Sequence, residues 1–379
     1  MNILQITKYY YPYIGGIEQT AKDISISIPS EHTQKVICFN EGNETIRDNL
    51  DGVEVVRCGI VGVFASQPLS IKYGKVLRKL VKEFEPDIII FHYPNPYAAH
   101  YLLKILKKYP KCKLFVWWHL DIMKQKVLGK FFHSQSIRLL KRAKKIIATS
   151  PNYVEGSKYL SQYREKCIIL PSCINENRLQ VTSEILKKTE EIKRNALNKT
   201  ICFSFGRHVP YKGLEYLLSA TEQLDENFTF FIGGKGPLTS KLMEKAKDNS
   251  KVVFLGRISD EQMIAYLLAC DIFCFPSITK NEAFGLALAE AMYFSKPVVT
   301  FHIDGSGVNF VSRNGITGIE CENRNVDALA NAIQTLSQDP QLRVFYGQKA
   351  RERVLDNFTF EKFQLKIKAL LKSEMKNAE

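Results

Sequence analysis

Short apolar runs alternate with longer amphipathic stretches along most of the chain. In the first half they are Ile3 to Thr7, Lys35 to Phe39, Asp87 to Phe91, Lys113 to Trp118 and Lys145 to Ala148. The second half repeats the habit at Ile201 to Phe205, Phe228 to Ile232, Val252 to Leu255, Ile272 to Phe275 and Pro297 to Thr300. Apolar runs without strict alternation, separated by segments of helix length, predict parallel strands covered on both faces. Two such series predict an α/β fold of two doubly wound domains, which bind ligands at the carboxyl ends of their strands, beside helix N-termini. The break falls between Leu170-Pro171-Ser172 and Thr200, giving domains 1–175 and 176–357. Val181 to Asn198, polar and helical in pattern, reads as a connector that does not pack. Beyond the last strand, Phe363, Ile367, Leu370 and Leu371 mark an amphipathic helix within about 358–379.

With 379 residues the chain can bury two cores, and a hydrophobic fraction of 45% leaves no room for disorder as a class. The nine cysteines form no Cys-x-x-Cys pair and have no zinc-ligand spacing, which fits reduced, buried thiols. Met1 to Thr7 reads as a strand, not a signal peptide, and no apolar run approaches the ~20 residues that cross a bilayer. The expected location is the cytoplasm. A net charge of +14 changes the picture, because it is local. Between Lys104 and Lys145 the basic residues, among them Lys107, Lys113, Lys124, Lys126, Lys130, Arg138, Lys141 and Arg142, meet one acid, Asp121. Tyr101, Leu103, Leu106, Val127, Leu128, Phe131 and Phe132 are interleaved with them. Such a surface fits anionic lipid headgroups, each nearby cation contributing about 1 kcal/mol; the alternative is a solvated lysine-rich face. No nucleic-acid module is visible.

Five clusters carry candidate chemistry. In Tyr10-Tyr11-Pro12-Tyr13-Ile14-Gly15-Gly16-Ile17-Glu18 a strand gives way to a helix through paired glycines, Gly15 and Gly16, which fits an anion on the helix N-terminus or simply a tight turn. Phe205-Gly206-Arg207-His208-Val209-Pro210-Tyr211-Lys212-Gly213 follows a strand in the same way. Arg207 and Lys212 are suited to clamp a diphosphate, the first by a fork and the second as a point charge; a basic surface loop is the other reading. A third glycine turn is Gly233-Gly234-Lys235-Gly236-Pro237, weak alone and stronger in series. Glu282 and Glu290 flank Phe284, Gly285 and Leu286; on one helix they would stand ~12 Å apart, too far for a glycosidase pair. That separation suits two ends of one elongated ligand, and Glu290 sits among apolar residues where a carboxylate is costly unless paired. Finally, Trp117-Trp118-His119-Leu120-Asp121 delivers His119 and Asp121 to a strand end, with Asp121 placed to orient the imidazole. No Asp-x-Asp pattern exists to hold a divalent metal beside a diphosphate, so Arg207, Lys212 and helix N-termini must neutralise a leaving group.

In this order the clusters resemble those of the family-4 glycosyltransferases, a retaining family of the GT-B fold, and the match covers essentially the whole chain. The most specific parts are Gly206 to Gly213 and the E-x7-E stretch Glu282 to Glu290; Ser306-Gly307-Val308 also fits. The resemblance implies two Rossmann-like domains facing a central cleft, an acceptor domain completed by the final helix, and a nucleotide-sugar domain. It implies that Arg207 and Lys212 bind the donor diphosphate and that Glu290 binds the ribose. Glu282 and the amides of Phe284, Gly285 and Leu286 would meet the sugar, Arg257 and Ile258 the base, with Gly234, Gly236 and Pro237 in the donor loop. His119 would lie beside the reacting centre. The His119 segment, with Lys124 and Gln125, resembles mannosyltransferase-like members of bacterial polysaccharide assembly, with Leu120 in place of a serine. The expected donor is GDP-mannose, with a UDP-hexose or UDP-N-acetylhexosamine as the alternative and a GT-B-fold epimerase behind. No metal or cofactor is expected. The expected acceptor is a polyprenyl-diphosphate-linked glycan, met at the cytoplasmic face of the inner membrane through the Lys104 to Lys145 region.

Overall fold

The computed structural model describes residues 1–13, 15–64, 67–122 and 129–376, with backbone alone at 129–131 and 376. Ile14, Lys124, Gln125, Lys126, Val127 and Leu128, all named above, lie outside the described residues. The chain divides into two compact units, Met1–Leu170 with Phe363–Glu379, and Pro171–Lys362.

The first unit holds β1 (Asn2–Ile6), β2 (Thr33–Phe39), β3 (Ile46–Leu50), β4 (Val53–Cys58), β5 (Gly62–Phe64), β6 (Gln67–Leu69), β7 (Ile88–Tyr93), β8 (Lys113–Trp118), β9 (Lys145–Ala148) and β10 (Cys167–Ile169). Eight of these form one sheet in the order β10-β9-β8-β7-β1-β2-β4-β3, parallel except for β3, while β5 and β6 make a separate hairpin. The order reverses between β1 and β7, the position at which doubly wound sheets open a crevice beyond their strand ends. β7 is buried at every position, as a strand covered on both faces must be.

In the second unit β11 (Thr200–Phe205), β12 (Phe228–Gly233), β13 (Val252–Gly256), β14 (Ile272–Phe275), β15 (Val298–Phe301) and β16 (Gly318–Cys321) form an all-parallel sheet ordered β13-β12-β11-β14-β15-β16. Here the reversal lies between β11 and β14.

One element departs from the sequence expectation. The Val181 to Asn198 segment is no mere connector. Its helix, Ser183–Asn195, buries Ile185, Thr189 and Ile192 against the helix Asp260–Ala269, and Thr189 Oγ1 donates to the Ala265 carbonyl at 3.4 Å. Three residues at i, i+4 and i+7 make a stripe wide enough to dock a helix that is otherwise charged. The last helix, Phe360–Lys376, buries Phe363, Ile367, Leu371 and Glu374. The Phe363 ring lies 6.1 Å from that of Trp117, and Lys113 Nζ sits 2.9 Å from a Glu374 carboxylate oxygen. Lys113 is therefore an internal partner of this helix, and not part of a basic surface.

Candidate active site

At the reversal point of the second sheet, the loop after β11 returns through a short 3-10 turn, Pro210–Lys212, towards the end of β14. There Lys212 Nζ pairs with a Glu282 carboxylate oxygen and lies 4.8 Å over the Phe275 ring. Ser277 Oγ donates to the same Glu282 oxygen at 3.2 Å. Arg207 is exposed and has no ion pair among the described residues, so its charge is available to a ligand.

Backbone fit explains the glycines. Gly234 adopts φ +116°, and a Cβ there would lie 1.9 Å from the Gly206 carbonyl oxygen. The loops after β11 and β12 thus touch backbone to backbone, which no side chain would permit. His208, fully buried, stitches the same two loops: its Nδ1 is 3.0 Å from Thr239 Oγ1, which accepts from the Gly236 amide at 2.9 Å. The sequence reading gave His208 no role of its own. Pro237 and Arg257 are exposed beside this loop pair, and Ile258 packs at the end of β12 near Gly233.

Glu282 and Glu290 do not share a helix. Glu282 N–H closes a turn onto the Thr279 carbonyl at 3.0 Å, and the helix starts only at Leu286, after Gly285 at φ +93°. The ~12 Å axial spacing therefore does not apply; a left-handed glycine ends one backbone direction and begins another. Phe284 is buried, and the helix Leu286–Tyr293 opens with no side-chain cap. Beneath it Ser306 Oγ donates to the Glu282 carbonyl, and the Val308 amide donates to Ser306 Oγ at 3.2 Å.

Glu290 has a partner the sequence did not disclose. Its Oε1 accepts from Arg178 Nη2 at 3.1 Å, and Arg178 Nε also reaches Asp260 at 2.9 Å. Burial pushes the Glu290 carboxyl up to about 7 despite the neighbouring guanidinium. Arg178 stands in a 3-10 turn, Glu176–Leu179, distant in sequence from both acids, and no motif marked it.

In the first unit, the loop after β1 leads into the helix Gly16–Ser27, again with no side-chain cap. Gly15 is extended, and nothing lies within 4 Å of a Cβ built on Gly16. Among the described residues neither backbone nor packing requires Gly16, whereas a Cβ on Gly15 would lie 2.2 Å from a Glu18 carboxylate oxygen. The Glu18 carboxyl nearby is raised by burial.

His119 follows β8 and is 8% exposed; its Nε2 lies 3.0 Å from His92 Nδ1. Asp121 does not orient it. The Asp121 carboxylate accepts from Trp118 Nε1 at 2.9 Å and Ser157 Oγ at 2.8 Å, and its amide donates to the Tyr153 hydroxyl at 2.7 Å. With 1% exposure it holds the loop in shape, and the imidazole partner is His92. His92 was missed because it lies inside an apolar strand, where a histidine carries no motif.

A profile described as Glycosyltransferase Family 4 matches residues 14–178, and one described as Glycosyl transferases group 1 matches residues 187–353. The O-antigen chain mannosyltransferase C of Escherichia coli is 29% identical over 363 residues, 95% of each chain. The D-rhamnosyltransferase WbpZ of Pseudomonas aeruginosa is 29% identical over 367 residues, covering 95% of this chain and 92% of that protein. Among solved structures, Anabaena HepE in complex with UDP superposes with a TM-score of 0.78 at 21% identity, over 98% of this chain and 100% of that one, a likeness of fold. With matches across both units and glycine loops at the reversal point of each sheet, the chain belongs to the family-4 glycosyltransferases of the GT-B fold and is a transferase enzyme.

Proposed function

We propose that the enzyme is a retaining, metal-independent hexosyltransferase that moves mannose from GDP-mannose to a hydroxyl of a lipid-linked glycan in O-antigen, capsule or exopolysaccharide assembly. The observation that carries the donor reading is the cluster at the β11/β14 reversal, where Lys212 and Glu282 meet beside Arg207, which has no ion pair among the described residues. When the bond from sugar C1 to phosphate oxygen breaks, negative charge grows on the diphosphate. Lys212 and Arg207 offset it from fixed positions, which is the effective way to lower such a barrier. The acceptor oxygen forms the new bond on the same face, and its proton passes to the leaving phosphate. Glu290 accepts from the ribose hydroxyls, Glu282 and the amides at Phe284 to Leu286 hold the sugar, and His119 meets a sugar or acceptor hydroxyl. Mannose is favoured by the named activity of the Escherichia coli relative.

The membrane part of the reading rests on the first unit. No described helix is long and apolar enough to cross a membrane. A groove of about 830 Å³ lies between the helices Pro96–Leu106 and Gly129–Arg142, floored by Leu103 and Leu106 and rimmed by Lys104, Lys107 and Arg138. Apolar floor and cationic rim suit anionic lipid headgroups, and support a peripheral position on the cytoplasmic face of the inner membrane.

Titrating GDP-mannose, UDP-glucose and UDP-N-acetylglucosamine against wild type and Lys212→Ala, with EDTA present, tests the donor site. Metal-free binding of one donor, weakened about a hundredfold in the variant, is expected. No binding of any of them sinks the donor reading. Preference for a uridine donor replaces mannose, and release of free sugar without an acceptor points to an epimerase.

A further inference from the structure

Three buried polar side chains occupy adjacent strands at the reversal point of the first sheet: Gln5 on β1, His92 on β7 and His119 just beyond β8. Gln5 Oε1 is 3.0 Å from His92 Nε2, and His92 Nδ1 is 3.0 Å from His119 Nε2. The proton on each ring follows from the far end of this chain. Gln5 Nε2 donates to Ser25 Oγ at 2.7 Å and to the Ala21 carbonyl oxygen at 3.3 Å. A carbonyl has no proton to give, so the amide nitrogen must face Ala21 and the amide oxygen must face His92.

That oxygen only accepts, and His92 Nε2 therefore carries the hydrogen. A neutral imidazole has one N–H, which leaves His92 Nδ1 as a lone pair. His119 Nε2 must then be the donor to it, and the remaining lone pair of His119 sits on Nδ1. Burial keeps both rings neutral, holding His92 far below the usual histidine range and bringing His119 down to about 3. His119 Nδ1 makes no hydrogen bond among the described residues.

We propose that Gln5 and His92 are positioning residues that lock His119 as its Nε2–H tautomer, so that Nδ1 accepts a hydrogen bond from a sugar hydroxyl of the reactants. The tautomer stands on the hydrogen-bond chain between two buried, neutral rings; the hydroxyl as its ligand rests on the transferase reading above. So weak a base holds a hydroxyl without taking its proton, so His119 orients a reactant and is not the general base. A charged histidine or an Nδ1–H tautomer would present a donor at the same point, so that the same hydroxyl would meet it with a lone pair and turn its proton elsewhere, which is how two residues out of reach of substrate act on turnover.

The test uses the full chain labelled with ¹⁵N at histidine, with long-range ¹H–¹⁵N correlation of the rings and His119→Asn for assignment. Wild type is expected to show His119 protonated at Nε2 and bare at Nδ1. His92→Leu removes the acceptor while keeping an apolar fit, and His92→Asn keeps an oxygen where Nδ1 stood. The leucine variant is expected to show mixed His119 tautomers and to lose about tenfold or more in kcat/KM. The asparagine variant is expected to retain the wild-type ring pattern and the larger share of kcat/KM. A purely structural role for His92 predicts the reverse order, because leucine suits a buried apolar site better than asparagine. Wild-type His119 protonated at Nδ1 overturns the proposal, as does a leucine variant with unchanged tautomer and turnover. If His92→Leu does not fold, the wild-type spectrum still decides the tautomer and His92→Asn the turnover. If wild type transfers sugar from no nucleotide donor, the hydroxyl assignment falls with the transferase reading while the spectrum judges the tautomer separately.

Discussion

Glu290 shows what a single buried carboxyl can report. Its pKa of about 7 arises because burial outweighs Arg178, so near neutrality the group is divided between acid and carboxylate. A carboxylate accepts from two ribose hydroxyls, whereas the neutral acid must turn one oxygen into a donor. Donor affinity should therefore rise with pH, by about tenfold per unit below pH 7, and level off above it. The nucleotide sugar is the right probe, because its esterified diphosphate has no proton to lose in that range. Glu290→Gln should flatten the profile; a wild-type affinity constant from pH 5.5 to 8 would remove Glu290 from the ribose role. Glu282, Glu290, Arg207, Lys212 and His119 were all legible as candidates, because they stand in motifs at strand ends. Their partners were not. Arg178 reaches Glu290, and His92 reaches His119, across separations in sequence that only folding closes. Asp121 illustrates the opposite failure, since proximity in sequence suggested a partnership that Trp118 and Ser157 have taken instead.

Elements were readable where burial on both faces wrote a continuous apolar run. Strands β3, β4, β5, β6, β10 and β16 lie outside the runs named from the sequence, and the edge strand β3 shows why: Ile46 and Arg47 are exposed and its apolar content is small. The helix Ser183–Asn195 escaped for a related reason. Its charged residues outnumber the stripe of Ile185, Thr189 and Ile192, and the stripe alone decides packing. Ile185→Ala should cost about 2–4 kcal/mol in equilibrium unfolding of the second unit, while exposed Leu186→Ala should stay within about 0.5 kcal/mol. Equal, negligible effects would restore the connector reading. The glycine loops give a second test at this scale. Gly234→Ala forces a Cβ against the Gly206 carbonyl at a positive φ, so the loops after β11 and β12 must separate. Donor affinity should fall at least tenfold without loss of secondary structure; binding as tight as wild type would show that the contact of the two loops does not shape the donor site.

At the scale of the whole chain, the first unit is finished by residues that follow the second in sequence. The closing helix buries Phe363, Ile367, Leu371 and Glu374 at i, i+4, i+8 and i+11, one continuous face. Phe363 meets Trp117, and Lys113 meets Glu374, so this face supplies both apolar cover and a buried acid for Lys113 to pair with. The apolar spacing of this helix was legible, and the resemblance implied that it completes the first domain; its contact with Trp117 was not legible, because Trp117 and Phe363 are brought together only after the second unit has been passed. Both tryptophans of the chain, Trp117 and Trp118, belong to β8, so selectively excited tryptophan fluorescence reports on the first unit alone. Phe363→Ala leaves a cavity against Trp117 and should cost about 3–5 kcal/mol, equivalent to a fall of about 10 °C in the fluorescence-detected midpoint. Metal-free donor binding, which the proposed function assigns to loops of the second unit, should persist below that temperature. A fluorescence midpoint unchanged by Phe363→Ala would mean that the closing helix covers the first unit without stabilising it. A parallel loss of donor binding would mean that the two units do not unfold as separate bodies, and that the returning helix governs both.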